Sequence, residues 1–346
     1  MAVNPLTERR TTDRARSRPH RFALAICSTA TAVLAVLASS TPAFAAGPTV
    51  VAQEAPIRLV QSTANLYWTS GFNTSAPFSA AVYRTGKNDT PGKETVLYRE
   101  DRNDSFFFGD LTFANDNGVF YGYFAANYLD RGFSEIKRIP LAGGPAVTLA
   151  TSLSPLAASD LVTDGSFLYW ADAGGLRKMS ISGGAITTLF SGGTLLRVAL
   201  DATQVYFSNG AAINSVPKAG GGVVTRQVTE TFNVSSIFTQ PTSAGTALYW
   251  GTQDGSVKSQ VLGVPGVVVH QQPLAGRLVK SVSFDGTRVL WTDCNSSIGT
   301  ADCAVRKRQG GATTTVSTGE SFSADVQGDA TAMYWSSGTA LVKFIH

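Results

Sequence analysis

The sequence repeats one short apolar pattern seven times. Each copy has three apolar residues, most of them aromatic or β-branched, and five copies end in Trp. The last residues of successive copies are 53, 49, 37, 43, 41 and 44 positions apart, a mean of about 44 that falls within the ~40–50 residue period of propeller-type repeats. The seven copies are Leu66-Tyr67-Trp68, Val119-Phe120-Tyr121, Leu168-Tyr169-Trp170, Val205-Tyr206-Phe207, Leu248-Tyr249-Trp250, Val289-Leu290-Trp291 and Met333-Tyr334-Trp335.

The unit from Asp160 to Phe190 displays the content of one repeat. Its apolar runs predict four strands, and Asp-Gly and Gly-Gly dipeptides between them favour tight hairpin turns. Four antiparallel strands repeated around an axis form a propeller blade. The sequence therefore predicts an all-β fold, a β-propeller of seven four-stranded blades, with six as the alternative count. The four strands are 161–163, 167–171, 176–181 and 186–190.

The repeated aromatic pairs and turn aspartates have a structural and a functional interpretation. Tyr-Trp pairs could form ligand platforms, and Asp164, Asp201 and Asp285 could bind calcium. One aromatic side chain at the same place in every blade is more typical of packing between sheets, and Asp at the start of a tight turn is primarily a turn residue. We predict a core role for the aromatic pairs and a turn role for the aspartates.

The two ends of the chain predict how the ring closes. The last unit has strands near 322–327, 332–335 and 340–345, and then the chain stops one strand short. Near the start, Thr49-Val50-Val51-Ala52 resembles the missing fourth strand. We therefore expect the N-terminal strand to complete the last blade, which would remove an open sheet edge.

Residues 1–45 have the order of a cleavable secretory signal. Six Arg residues precede an apolar stretch from Phe22 to Leu37, and Ala43-Phe44-Ala45 offers a small-residue cleavage site. The apolar stretch is shorter than the ~20 residues that a membrane-spanning helix needs. We predict a signal peptide at 1–45 and a propeller domain at 46–346. The mature protein would be extracellular or periplasmic, without a membrane span, after export by the Sec or twin-arginine route.

The charge of the mature domain disfavours nucleic acid as a partner. The chain has 28 Lys and Arg against 24 Asp and Glu, and the first 45 residues hold 6 and 2 of them, which leaves 22 of each. A protein that binds nucleic acid needs a basic surface to neutralise phosphates. A neutral domain instead suits an extracellular protein or glycan as partner, and we expect a monomer.

Two cysteines, Cys294 and Cys303, remain after signal cleavage. An even number of cysteines in an exported protein favours a disulfide, and two free thiols are the alternative. A metal site would need more ligands than His270 and His346 can add. We therefore predict neither a metal nor another cofactor.

Two strings resemble a known group of propellers. They are Asp164-Gly165-Ser166-Phe167-Leu168-Tyr169-Trp170-Ala171-Asp172 and Asp285-Gly286-Thr287-Arg288-Val289-Leu290-Trp291-Thr292-Asp293. Both resemble the Tyr-Trp-Thr-Asp (YWTD) repeats of low-density-lipoprotein-receptor-type propellers, and still more the secreted bacterial propellers of the DUF5050 and TolB-like group. The resemblance implies a propeller fold and no particular activity, because the shared motifs are structural. Receptor-type rings have six blades, whereas seven copies occur here.

Long connections predict where a ligand would bind. In a propeller, the loops between second and third strands lie on the same face as the connections between blades. Binding residues are usually found on long loops of a rigid scaffold. The segments 70–79, 125–134 and 293–302 are long, and ring closure would bring their blades together. Aromatic and charged side chains there, with Phe133 beside them, suit a saccharide or peptide. The candidate binding residues are Phe72, Phe78, Asp101, Arg102, Asp104, Tyr128, Asp130 and Arg131.

Two hypotheses on function follow. The first is a secreted, non-enzymatic binding or scaffold propeller, and it rests on the absence of catalytic sequence motifs and on the scarcity of histidine. The second is a hydrolase or lyase that acts on a saccharide in the central funnel. An enzyme should place carboxylates, or a carboxylate and a base, around the axial opening with perturbed pKa values, whereas a scaffold should show small or apolar residues there. No catalytic residue is assigned from the sequence.

Overall fold

A computed structural model describes residues 47–53, 56–71, 76–153, 160–172, 174–193, 195–295, 302–321 and 325–346. The predicted signal peptide at 1–45 lies outside the described residues. Within these ranges, no helix has the length and apolarity required to cross a membrane.

The described residues form seven four-stranded antiparallel sheets, as the sequence predicted. Each sheet is one blade, with its strands in chain order from first to fourth, except that blade seven takes its fourth strand from the N-terminus. Blades one to three are β2 (Arg58–Gln61), β3 (Asn65–Ser70), β4 (Phe78–Gly86), β5 (Thr95–Arg102); β6 (Phe106–Asp116), β7 (Val119–Tyr128), β8 (Phe133–Pro140), β9 (Val147–Leu153); and β10 (Leu161–Thr163), β11 (Phe167–Asp172), β12 (Gly175–Ser180), β13 (Thr187–Ser191). Blades four and five are β14 (Leu195–Leu200), β15 (Gln204–Asn209), β16 (Ala212–Pro217), β17 (Thr225–Thr229); and β18 (Val234–Thr242), β19 (Gly245–Thr252), β20 (Val257–Val261), β21 (Val268–Gln271). Blades six and seven are β22 (Arg277–Phe284), β23 (Val289–Asn295), β24 (Cys303–Gln309), β25 (Ala312–Glu320); and β26 (Val326–Gly328), β27 (Ala332–Ser337), β28 (Ala340–Ile345), β1 (Thr49–Ala52).

Strand β1 lies beside β28 at the outer edge of blade seven. The two strands pair antiparallel, with Val50 opposite Val342 and Ala52 opposite Leu341. Val51 is 2% exposed and Ala52 is fully buried, and both pack with Leu59 and Trp68 of blade one. The N-terminal segment therefore contributes to the packing of two blades.

The repeated tryptophans form the core between blades. All five are fully buried, and they lie on the second strands. In blade three, Trp170 packs with Met179 of its own blade and with Tyr123 and Ile136 of blade two. The predicted core role of the Trp residues is therefore confirmed for all five.

The second copy of the aromatic pattern was assigned to the wrong residues. In the other blades, the last residue of the pattern lies opposite a buried apolar residue that directly follows an Arg, Asp or Ser, as Trp170 does opposite Leu161 after Asp160. In blade two the corresponding residue, Leu111, lies opposite Phe124 rather than Tyr121. The reason is that the hairpin of β6 and β7 extends three pairs further than the hairpin of blade three, to the Asn117-Gly118 turn, where both residues have positive φ.

The turn aspartates also join neighbouring blades. Asp164 Oδ1 accepts hydrogen bonds from the backbone N–H groups of Ser166 and Phe167, which closes its turn as predicted. Its other oxygen lies 3.3 Å from Lys218 Nζ of the following blade. The same contact with the following blade recurs at Asp116 with Ser182, Asp201 with Thr246, Asp285 with His346 and Asp329 with Lys87.

Candidate functional site

The predicted binding residues lie on blades one and two, with the exception of Phe72, which is outside the described residues. We call the face of the ring that carries the connections between blades the loop face. The expected long loop at 125–134 is wrong, because β7 continues to Tyr128 and β8 begins at Phe133, so that only four residues connect them. Asp101 and Arg102 lie at the end of strand β5 rather than in a loop.

Several of these side chains form one ion-pair network. Arg102 donates to Asp104 at 2.7 Å and to Glu100 at 3.0 Å, and Arg131 donates to the other oxygen of Asp104 at 2.5 Å. The hydrogen bonds from Arg102, and then those from Arg131, lower the pKa of Asp104 to about 2. Asp130 accepts from the backbone N–H of Ser105 at 2.7 Å. The structure therefore brings these predicted residues together, with their charges paired to one another.

Tyr128 lies at the centre of this network. Its hydroxyl is 3.3 Å from both oxygens of Glu100 and 3.2 Å from Glu135, and the Arg102 guanidinium lies 5.1 Å from its ring centroid. Burial, and then the two carboxylates, raise the pKa of Tyr128. Glu100 and Glu135 were absent from the sequence prediction. Phe78 is half-buried and packs with the core cluster of Tyr128, whereas Asp101 is exposed.

The predicted disulfide joins Cys294 and Cys303 in blade six. The two residues are direct cross-strand partners on β23 and β24 and are fully buried. Beside them, the buried Asp293 carboxylate accepts from Arg277 and, at 2.7 Å, from Arg306. The base of the loop between β23 and β24 is therefore fixed by a covalent bond and an ion-pair network.

Replacing Cys294 and Cys303 together by Ala is expected to lower the free energy of unfolding by about 2–3 kcal/mol, because the unfolded chain regains the entropy of a short closed loop. The measurement is urea denaturation of the double variant and the parent chain under non-reducing conditions. Adding a reductant should lower the midpoint of the parent chain only. Equal midpoints for the two proteins without reductant would contradict this expectation.

An axial cavity of about 350 Å³ is lined by the first strands of all seven blades. In each blade, one of the polar residues that line the cavity comes directly before the buried first-strand residue that lies opposite the end of the aromatic pattern, or opposite Phe124 in blade two. These seven residues, which we call the axial ring, stand at the end of the cavity nearer the loop face. In blade order they are Arg58, Asp110, Asp160, Arg197, Ser236, Ser281 and Asp325.

The axial ring links each blade to the next. Asp110 accepts from the backbone N–H of Leu161 at 3.2 Å, where Leu161 belongs to the following blade. The four equivalent bonds are Val198 to Asp160 at 2.8 Å, Val282 to Ser236 at 2.9 Å, Val326 to Ser281 at 3.3 Å and Leu59 to Asp325 at 3.1 Å. A buried N–H group of the first strand is thus satisfied by a side chain of the preceding blade.

The remaining carboxylate oxygens of the ring also have partners. Arg58 pairs with Asp110 and lies 3.6 Å from Asp160, and Arg197 lies 3.6 Å from the same Asp160 oxygen. Ser281 donates to Asp325 at 2.7 Å. All six carboxylate oxygens of the ring are therefore engaged within the chain.

Burial shifts the pKa values of the ring residues. It raises the pKa of Asp110, an effect that the Arg58 guanidinium opposes and Asp160 reinforces. Burial also raises the pKa of Asp325, again against Arg58. Burial, and then Arg58, lower the pKa of Arg197. The axial opening thus combines carboxylates and bases with perturbed pKa values, which is the pattern expected of an enzyme rather than the small or apolar lining expected of a scaffold.

The axial ring was not predicted from the sequence. Its signal is a polar residue directly before an apolar one at the start of each unit, as in Arg58-Leu59 and Asp325-Val326. The two histidines lie away from this ring. His270 is in outer strand β21, where its Nε2 is 2.8 Å from Ser259 Oγ, and His346 Nε2 is 3.2 Å from Asp285. Within the described ranges, no group of three or more His, Cys, Asp or Glu residues could hold a metal ion.

Comparisons with known proteins identify the fold. No family model matches the chain, and no curated protein matches it. Among solved structures, YCF48 from Cyanidioschyzon merolae superposes with a TM-score of 0.60 at 12% identity, covering 87% of this chain and 99% of YCF48. The computationally designed protein Ika8 superposes with a TM-score of 0.52 at 12% identity, covering 86% of this chain and 99% of Ika8.

A third similar structure is PorZ of Porphyromonas gingivalis, an essential bacterial surface component of the type-IX secretion system. It superposes with a TM-score of 0.57 at 13% identity over 86% of this chain, and the chain spans 37% of PorZ. At identities of 12–13%, these similarities establish the propeller fold alone.

Proposed function

We propose that the protein is an exported, non-enzymatic binding or scaffold propeller that contacts an extracellular protein or glycan through its loop face. In this proposal, the signal peptide at 1–45 is cleaved near Ala45. The relation to YWTD-like, DUF5050 and TolB-like propellers would then be one of fold and not of activity. The disulfide between Cys294 and Cys303 is compatible with an oxidising compartment.

The observation that supports the proposal is that the carboxylate oxygens of the axial ring already have partners within the chain. A general acid, base or nucleophile needs a carboxylate oxygen directed at the substrate. In the axial ring, each oxygen of Asp110, Asp160 and Asp325 is held by a guanidinium, a hydroxyl or a backbone N–H. These contacts favour a role in joining blades.

Blades one and two supply the contact surface in this proposal. Asp101 is exposed, and the side chain of Arg131 is 51% exposed beside Asp104. Exposed charges held by a rigid hairpin can pair with a polar partner at little cost in conformational entropy. Exposed Leu129 and half-buried Phe133 add apolar area next to them.

A saccharide hydrolase or lyase is the second candidate. The cavity is open enough to admit a small ligand, and burial raises the pKa of Asp110 and Asp325, as catalysis by a protonated carboxyl would require. This candidate needs one of these carboxyls to exchange its partner in the chain for the substrate.

The test is binding of the purified chain to a glycan array and to immobilised extracellular proteins. We expect a bound partner whose affinity falls by about tenfold when Asp101 and Arg131 are both replaced by Ala, since exposed charged contacts contribute about 1 kcal/mol or less each. Arg226→Ala, an exposed arginine on outer strand β17, is the matched control. Release of reducing ends from a polysaccharide, abolished by Asp110→Asn, would instead support the second candidate.

A further inference from the structure

Every blade has a β-bulge in its outer, fourth strand. At the bulge, one residue of the fourth strand has no partner on the third strand, and its side chain is directed out of the regular alternation. In five blades this bulge residue is apolar and packs with side chains of the following blade. The position therefore belongs to the contact between neighbouring blades. The five apolar bulge residues are Leu97, Leu149, Leu189, Val316 and Val51.

Blades four and five have a polar bulge residue instead, Gln227 and His270. Gln227 Nε2 donates to Ser215 Oγ at 3.0 Å, and His270 Nε2 lies 2.8 Å from Ser259 Oγ. The two serines hold the same place on the third strand, since each lies opposite the Tyr of the aromatic pattern in its own blade. Blade four thus shows that a neutral amide can make the contact that His270 makes in blade five.

His270 connects blades five and six through its ring and through its backbone. The ring lies on Tyr249 with the centroids 6.1 Å apart, and Tyr249 stacks on Phe284 of blade six at 5.1 Å. The backbone carbonyl accepts from Arg308 Nη1 at 2.7 Å and from Thr313 Oγ1 at 3.4 Å, and both donors belong to blade six. We call these contacts of His270, Tyr249, Phe284, Arg308 and Thr313 the five–six junction.

The surroundings of His270 disfavour a positive charge on its ring. The side chain is half-buried, and among the described residues Arg308 is the charged group that acts on it, with no carboxylate to oppose it. Burial, and then Arg308, lower the pKa of His270 to about 4. The ring is therefore neutral at pH 7. The groups around it, from β19, β20, β22, β24 and β25 in turn, are Tyr249, Ser259, Phe284, Arg308 and Thr313.

We propose that the five–six junction is an acid-sensitive switch, in which a proton on His270 loosens β21 from blade six. The imidazolium would place a second positive charge beside Arg308 in a half-buried site. It also has no acceptor nitrogen, so that it can no longer accept a hydrogen bond from Ser259. The switch lies on other blades than the proposed contact surface and does not depend on it.

The lowered pKa of His270 sets the direction of the pH response. The ordinary pKa of histidine is 6.5, which applies to the unfolded chain, and the folded-state value is about 4. The neutral ring therefore contributes its full stability above the unfolded value, and this contribution is lost as the pH falls through the folded value. His270→Gln removes the titration and keeps a hydrogen-bonding side chain of the kind that Gln227 provides in blade four.

The first experiment is differential scanning calorimetry of the full-length chain between about pH 7.5 and pH 4. Over this range, the melting temperature of the parent chain should fall by about 5 °C or more beyond the fall of His270→Gln. His270→Leu, which introduces the apolar side chain used in blades one to three, should also lack the additional fall. His346→Gln, at the other histidine of the described ranges, is the control and should retain it.

Peptide-level hydrogen exchange separates a local switch from a general loss of stability. At about pH 4.5, the amides of β21 should exchange faster in the parent chain than in His270→Gln, whereas the amides of blade two should exchange alike. At about pH 7.5 the two proteins should match in both regions, because His270 is then neutral. An equal acid response of the parent chain and His270→Gln would overturn the proposal. A difference in melting temperature without faster exchange of β21 would overturn it as well.

Discussion

Deleting residues 46–54 is expected to lower the melting temperature by about 10–20 °C. The deletion removes β1, and with it the backbone hydrogen bonds to β28 and the buried side chains of Val51 and Ala52. Hydrogen bonds at about 1 kcal/mol each and a buried Val at about 1.5–3 kcal/mol together contribute about 5 kcal/mol. In a large domain, each kcal/mol corresponds to about 2–4 °C. Differential scanning calorimetry of the deleted and parent chains measures the effect.

Neighbouring residues of β1 provide a matched pair of point variants. Val51 is 2% exposed and Val50 is 43% exposed. Val51→Asp should reproduce most of the loss, because it buries an unpaired carboxylate, whereas Val50→Asp should change stability by about 0.5 kcal/mol or less. If the deletion leaves the melting temperature unchanged, β1 does not hold the ring closed.

The strands could be predicted because their signals are local. Within blade three, alternation of apolar residues and the Asp164-Gly165 turn define the strands within a few positions along the chain. The second aromatic copy shows where local signals fail. Val119-Phe120-Tyr121 resembles the pattern, and only the pairing of Leu111 with Phe124 reveals the longer hairpin.

The axial ring could not be found in the same way. Arg58 and Asp325 are separated by most of the chain, and each by itself is an ordinary charged residue before an apolar one. They meet only because ring closure brings the first strands of all blades to one axis. The candidate surface on blades one and two was only partly predicted, because Glu100 and Glu135 converge on Tyr128 from different strands.

Arg58→Met is expected to lower the free energy of unfolding by about 3–5 kcal/mol at about pH 9, where Asp110 is mostly ionised in the parent chain, because it leaves that buried carboxylate without its cation and removes a partner of Asp160. At 2–4 °C per kcal/mol, the melting temperature should fall by about 6–20 °C. Arg226→Met is the control, because Arg226 is an exposed arginine on outer strand β17. This variant should change stability by about 0.5 kcal/mol or less.

The pH dependence of this loss distinguishes an electrostatic cause from simple loss of packing. In the parent chain, burial already raises the folded-state pKa of Asp110 above its unfolded value, and Arg58 limits the rise. Without Arg58 the folded-state pKa rises further. A carboxyl with a raised folded-state pKa contributes stability below its unfolded pKa and loses it as the pH rises through the folded value. The folded-state pKa of Asp110 is about 8 in the parent chain. The difference between Arg58→Met and the parent chain should therefore be small at pH 5–6 and grow as the pH rises through 8 towards 10. A difference that is constant across this range would indicate that Arg58 acts through packing, and that its charge does not hold the axial carboxylates in place.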